Sequence, residues 1–290
     1  TLAENLAPGD PFGYGAFLAA TSGDDPLVDL APAHPSFSSA SGRRSSLLNE
    51  DGFHLHAMNF SLLSLNGRFA VFDSEAGDLV PNDTNGVRDS FVRDLESGET
   101  FLPQPVAPGS RVEYGGMSAD GALLSYAIFE TTSPPQRLRV NYHLFNLVTG
   151  SNSLIATADQ NFFPGKFGLS AQGGHYLCSV EGAQRVIDLD TGSVVEVPRR
   201  TFQADRLSSG GQFLARQQFL YRWSDGTADT LSSFPFASSH DDQVFLLGNL
   251  QSAPLAVYFP ETRETYPIAT GVRFPNLSGD GSTVVYGQGD

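Results

Sequence analysis

Residues 62–102 read LLSLNGRFAVFDSEAGDLVPNDTNGVRDSFVRDLESGETFL, and this stretch decides the fold because its skeleton returns further along the chain. The skeleton is a Ser, a Gly-bearing turn, an apolar strand, a polar loop, a second apolar strand, then Asp-Leu-x-x-Gly and a third strand. The same order recurs, eroded, in LSYAIFE…YHLFNLVTGSNSLIA, in YLCSVEGAQRVIDLDTGSVVEV and in FLARQQFLYRWSDGTADTL. A unit repeated every few tens of residues buries its apolar faces only by stacking on its neighbours, which is the mark of a solenoid or a propeller.

Composition agrees with an all-β chain. Apolar residues make up 40% and charged residues 17% of the 290, enough for a packed core and too little charge for a disordered tail. Apolar positions do not hold helical spacing over three turns. The 30 Gly and 18 Pro sit mostly between short Phe-, Val- and Leu-rich runs, as expected for many strands joined by tight turns. A net charge of −15 argues against nucleic acid, whose phosphates need clustered cations. No apolar run is long enough to span a membrane as a helix. Cys178 is the single cysteine, which excludes a disulfide framework, and its place in the apolar run YLCSV reads as a small buried hydrophobe. Lys166 is the only lysine among the 17 basic residues, so a Gly-Lys-Ser/Thr phosphate loop is absent.

Each repeat reads as four strands, one blade of a propeller. A first strand ends at a Ser followed by a polar Gly turn: Ser64 to Gly67, Ser118 to Gly121, Ser170 to Gly173, Ser208 to Gly211 and Ser278 to Gly281. Asp, Asn and Gly suit such turns because they tolerate left-handed backbone. Second strands are expected over 68–72, 122–128, 175–180, 212–216 and 282–286, and third strands over 90–95, 142–147, 184–189 and 219–223. A fifth unit, Ser238 to Ile268, lacks the Gly and reads as having lost this turn.

The blade at Ser64-Leu-Asn-Gly-Arg-Phe-Ala-Val-Phe72, with Asp78-Leu-Val-Pro81, Asp83-Thr-Asn-Gly86 and Phe91-Val-Arg-Asp-Leu95, resembles TolB-like propeller repeats, a WD-like class of bacterial blades. The likeness weakens over the later units and covers most of the chain from about Leu48. It implies a propeller, often secreted or periplasmic and used for protein or carbohydrate contacts. It specifies fold and no ligand.

The two ends are expected to share a blade. Residues 273–288 supply a first and second strand. Near the other end, Glu4-Asn-Leu-Ala-Pro-Gly-Asp10 copies the loop at Asp78–Asp83, and Gly15–Thr21 with Leu27–Leu30 offer the outer strands. Pairing of N- and C-terminal strands would remove exposed sheet edges. The expected architecture is one propeller domain over residues 1–290 with six blades of four antiparallel strands. The alternative is seven, if residues 31–59 hold true strands; otherwise that segment is a decorated connection.

Several residues are candidates for chemistry. Asp83, Asn85 and Asp89 offer oxygens around Gly86, with Asp78 as a further donor, the kind of ligand set calcium takes. The spacing departs from an EF-hand loop, and an Asx-capped turn explains the same residues. Beyond calcium, no cofactor is expected. His54-x-His56 alternates along an extended stretch as a zinc pair would, without an identifiable third ligand. Gly116-Met-Ser118 and Gly168-Leu-Ser170 only approximate a nucleophile elbow and recur as turns, where a nucleophile would be unique. Glu113, Asp205 and Asp241 are acids that a glycosidase would need to bring together at the ring mouth. His175 and His240 lie near strand ends. Arg43-Arg44, Arg199-Arg200 and Arg137/Arg139 are able to grip carboxylates.

No catalytic residue is assigned. The leading expectation is a non-catalytic extracytoplasmic propeller, periplasmic or secreted, that meets a protein or polysaccharide partner through its rim loops. The alternatives are a propeller lyase or glycosidase with its site at the central mouth, and a self-assembling subunit of a filament.

Overall fold

In the computed structural model the described residues are 17–18, 28–29, 64, 67–74, 79–81, 83, 85, 87, 89–104, 107–132, 137–160, 167–197, 206–248 and 254–288. They form antiparallel sheets in chain order and no helix. Strands β1 (Phe17–Leu18) and β2 (Val28–Asp29) make a short ribbon. Strands β3 (Phe69–Ser74), β4 (Asp89–Asp94) and β5 (Thr100–Phe101) make a three-stranded sheet. Four complete blades follow: β6 (Arg111–Met117), β7 (Leu123–Thr132), β8 (Arg137–Asn146) and β9 (Asn152–Gln160); β10 (Gly168–Leu169), β11 (His175–Val180), β12 (Ala183–Asp188) and β13 (Val194–Val197); β14 (Arg206–Leu207), β15 (Phe213–Arg216), β16 (Phe219–Arg222) and β17 (Thr227–Thr230); and β18 (Pro235–Ser238), β19 (Phe245–Leu247), β20 (Leu255–Phe259) and β21 (Glu264–Ala269). A ribbon of β22 (Val272–Leu277) and β23 (Val284–Gln288) ends the chain.

The propeller fold rests on how these sheets pack. Side chains alternate along a strand, and the second strands β7, β11, β15 and β19 bury both sets. On β7, Leu124, Tyr126 and Ile128 join Phe69, Val71 and Val92 of the preceding blade, while Ala127 and Phe129 join Tyr176, Cys178 and Val180 of the following one. On β11, Leu177 turns the other way to meet Leu207 and Leu214. On β15, Phe213 and Ala215 meet Phe245 and Leu247, and on β19 Leu246 faces Val272. A sheet apolar on both faces needs a neighbour on each side, so consecutive blades stack face to face. Two phenols reach across one such interface: Tyr142 donates to the Ser179 carbonyl at 2.9 Å and Tyr176 to the His143 carbonyl at 3.3 Å. The burial of Tyr176 leaves its hydroxyl protonated, with a pKa well above the usual range.

The repeated Ser is explained by the hairpin it starts. At Ser64, Ser118, Ser170, Ser208, Ser239 and Ser278 the amide donates to the carbonyl five residues on, at 2.8–2.9 Å. Each hydroxyl accepts the amide of that same residue at 2.8–3.1 Å. The fourth residue, at positive φ, closes the turn onto the Ser carbonyl; it is Gly in five cases and Asp242, at φ 59°, in the sixth. The fifth unit therefore keeps the turn that the missing Gly suggested it had lost, because Asp is among the few side-chain-bearing residues that tolerate this region. Strand three ends in a second recurring device. Asp94, Asn146 and Asp188 each accept amides two and three residues on, which shapes the Asp-Leu-x-x-Gly turn.

Among the described residues the N-terminal β1–β2 and the C-terminal β22–β23 each form a two-stranded sheet. Residues 31–59, on which six against seven blades turns, lie outside the described residues.

Candidate functional site

Two regions gather polar side chains with a defined geometry. The first is the loop between β3 and β4. Asp89 is buried at its end; one carboxylate oxygen accepts the Val112 amide of the next blade and the other accepts the Asn85 side-chain amide. Asn85 also donates to the Ser110 carbonyl at 2.8 Å and accepts the Val87 amide at 3.1 Å. These two residues fasten the loop to the start of β6, so Asn85 acts as a brace and its amide carbonyl closes an Asx turn. Asp83 differs. It is 7% exposed, and among the described residues neither carboxylate oxygen has a hydrogen-bond partner. The Asn85 amide faces the group without reaching hydrogen-bond geometry, and burial raises the acid above the ordinary aspartate value. Asp78 lies outside the described residues, and so do His54, His56, Arg43, Arg44, Arg199, Arg200 and Asp205.

The second region is the row of first-to-second-strand turns. Adjacent turns are tied together: the Ala119 amide donates to the Ala171 carbonyl at 2.6 Å, Ala171 to Ser209 at 2.7 Å, and His240 to Gly279 at 2.7 Å. Between the blades at Ser208 and Ser239 the tie is a side chain. Asp242, 2% exposed, accepts the Ser208 hydroxyl at 2.6 Å and the Gly210 and Gln212 amides at 2.9 Å each. Burial outweighs these bonds and raises its pKa. Sequence reasoning missed this clamp, and its signal was an Asp where the other turns carry Gly.

Exposed groups project from the same turns: Asp120, Gln172, Gln212, Asp241 and Asp280. Asp120, Asp241 and Asp280 each accept their own turn Ser hydroxyl, which holds all three below the usual carboxylate range, Asp280 at about 2. They stay ionised across the physiological range. His175 leans on Trp223, with ring centres 5.3 Å apart. The Gln172 amide donates to the His240 carbonyl at 2.7 Å, so the turns at Ser170 and Ser239, which flank the one at Ser208, meet directly.

Other candidates are engaged in structure. Ser118 and Ser170 hold hairpins. Glu113 pairs with Arg111 at 2.8 Å, and Arg139 grips Asp159 through two bonds of 2.9 and 3.4 Å. A further group was not foreseen: buried Tyr126 stacks on buried His143 at 4.9 Å, and exposed Asn152 donates to both half-buried Gln104 and the Tyr126 oxygen. Burial raises the Tyr126 pKa and lowers that of His143, so the hydroxyl stays protonated and the imidazole neutral.

No family model and no curated protein matches this chain. Solved structures similar to it include an oligogalacturonate lyase from Vibrio parahaemolyticus, at 13% identity over 76% of this chain and 67% of that one with a TM-score of 0.47. A putative TolB from Agrobacterium tumefaciens is 14% identical over 79% of this chain and 88% of that one, with a TM-score of 0.41. These likenesses accompany the fold, which the blades themselves establish, and carry no argument about activity. No helix among the described residues is long and apolar enough to cross a membrane.

Proposed function

We propose that this chain is a non-catalytic propeller of the periplasm or extracellular space that binds a protein or polysaccharide partner through the turns and loops at the rim of its blades. The observation that supports this reading is the row of first-to-second-strand turns. Main-chain bonds and the Asp242 clamp hold consecutive turns in fixed relation, and Asp120, Gln172, Gln212, Asp241 and Asp280 stand out from them. A preorganised surface of this kind loses little freedom on binding. Its ionised carboxylates and the net charge of −15 favour a basic or neutral partner surface and oppose polyanions.

The test compares the wild type with a triple variant, Asp120→Asn, Asp241→Asn and Asp280→Asn, which keeps the Ser acceptor in each turn. Affinity electrophoresis through neutral, basic and acidic polysaccharides, with cross-linking against periplasmic proteins, should show a retarded or captured species that the triple variant loses. Formation of unsaturated uronate ends from polygalacturonate by the wild type would replace this reading with a lyase.

A further inference from the structure

The loop of residues 79–89 holds an electrostatic problem that its described neighbours do not solve. Asp83 is more than nine-tenths buried, and neither carboxylate oxygen has a hydrogen-bond partner among the described residues. An ionised carboxylate in that setting lacks water and, among the described residues, a counter-charge. Protonation does not repair it, since a neutral carboxyl gains an O–H that itself needs an acceptor. Other buried carboxylates here are met: Asp89 by Val112 and Asn85, Asp242 by Ser208, Gly210 and Gln212, and Asp94 by Arg68 at 2.9 Å. Asp83 is thus the exception within a set that obeys the rule that buried polar groups find partners.

We propose that this loop binds one divalent cation, calcium by the hardness of its donors, with the Asp83 carboxylate as the anchoring ligand. The local sequence Asp83-Thr-Asn-Gly-Val-Arg-Asp89 supplies oxygen donors and no sulfur or imidazole, the set that suits calcium over zinc. Asp89 brings a second carboxylate at the far end of the loop, and an ionised carboxylate offers about four acceptor positions. Asn85 holds its NH2 group to Asp89 and Ser110, and its carbonyl, which accepts the Val87 amide, keeps a second lone pair for the ion. It braces the loop against the next blade, so a cation at Asp83 would staple the connection between two blades. The inference concerns a site separate from the row of turns and stands whether or not those turns bind a partner.

The full chain, stripped with EDTA and dialysed, is titrated with calcium chloride by calorimetry and equilibrium dialysis, and its melting temperature is read in calcium, magnesium and EDTA. One saturable calcium site and a melting temperature higher in calcium than in EDTA are expected, with magnesium weaker. Asp83→Asn should abolish both. Hydrogen exchange in peptides covering residues 79–95 should slow in calcium for the wild type, a readout that does not depend on the variant folding. Absence of saturable binding overturns the proposal, as a buried water in place of the ion would produce. So does binding that survives unchanged in Asp83→Asn, or calcium that leaves exchange in residues 79–95 unaltered.

Discussion

The joint between the blades at Ser170 and Ser208 and the joint between those at Ser208 and Ser239 start from the same turn and cross the gap by different means. In the first, the Ala171 amide meets the Ser209 carbonyl at 2.7 Å. In the second, the Asp242 carboxylate gathers the Ser208 hydroxyl and two backbone amides, while Ser209 donates to the Ser238 hydroxyl at 2.8 Å. A main-chain joint is indifferent to which residue occupies it. The carboxylate joint concentrates its strength in one side chain, and that chain fits because Asp, unlike most residues, accepts the left-handed position normally given to Gly. The difference shows how a repeat changes one residue at a special backbone position and gains a new contact without altering the turn.

The largest effect should come from removing the clamp. Asp242→Ala leaves a buried hydroxyl and two amides without an acceptor and places Ala at φ 59°. A loss on the order of 3–5 kcal/mol is expected in urea denaturation. Asp242→Asn, which keeps one acceptor and tolerates the backbone, should lose roughly half as much. At the main-chain joint Ala171→Ser should stay within about 0.5 kcal/mol. Equal losses at the two joints would erase the distinction.

An intermediate effect is expected at Gly211, where the clamped turn is also crowded. A Cβ there would lie 2.6 Å from the His175 ring nitrogen, at φ 84°, and the Gly211 carbonyl already accepts the Trp223 indole at 2.6 Å. Gly211→Ala should cost about 2–3 kcal/mol, against about 1 kcal/mol for Gly67→Ala, which has the same left-handed backbone and open space. Chemical denaturation of both variants side by side separates crowding from backbone strain.

The smallest effect is in pH dependence, where the two kinds of carboxylate differ in sign. Asp242 has a folded pKa raised by burial, so the stability linked to its proton is complete below 3.8 and declines as pH rises through the folded value. Asp120, Asp241 and Asp280 are lowered by their Ser hydroxyls, so their contribution is complete above 3.8 and declines as pH falls, for Asp280 toward about 2. Stability measured from pH 2 to 7 should therefore show both arms. Asp242→Asn should shrink the arm above 3.8 to the share carried by Asp83 and leave the acid arm in place.

Much of the fold was legible because turn chemistry is local. The Ser-x-x-Gly and Asp-Leu-x-x-Gly motifs each bond within six residues, so their positions fix where strands end; the expected strand 175–180 coincides with β11, and 219–223 overshoots β16 by one residue. The turn at Ser239 escapes a search for Gly because its backbone needs only a residue at ease with positive φ, here Asp242. Packing partners across blades were not legible: alternation puts Leu177 and Cys178 on opposite faces, but no spacing says which residues of the flanking blades each one meets. For the candidate site, Asp83 and Asp89 were visible as oxygen donors. The role of Asn85 was not, because it depends on Ser110 and on a blade that begins 25 residues later.

The main-chain ties at Ala119, Ala171 and His240 make the seating of these blades tolerant of sequence change. Any residue but proline, which lacks the N–H, can donate there, so a library randomised at these three positions should reject proline and accept most other side chains.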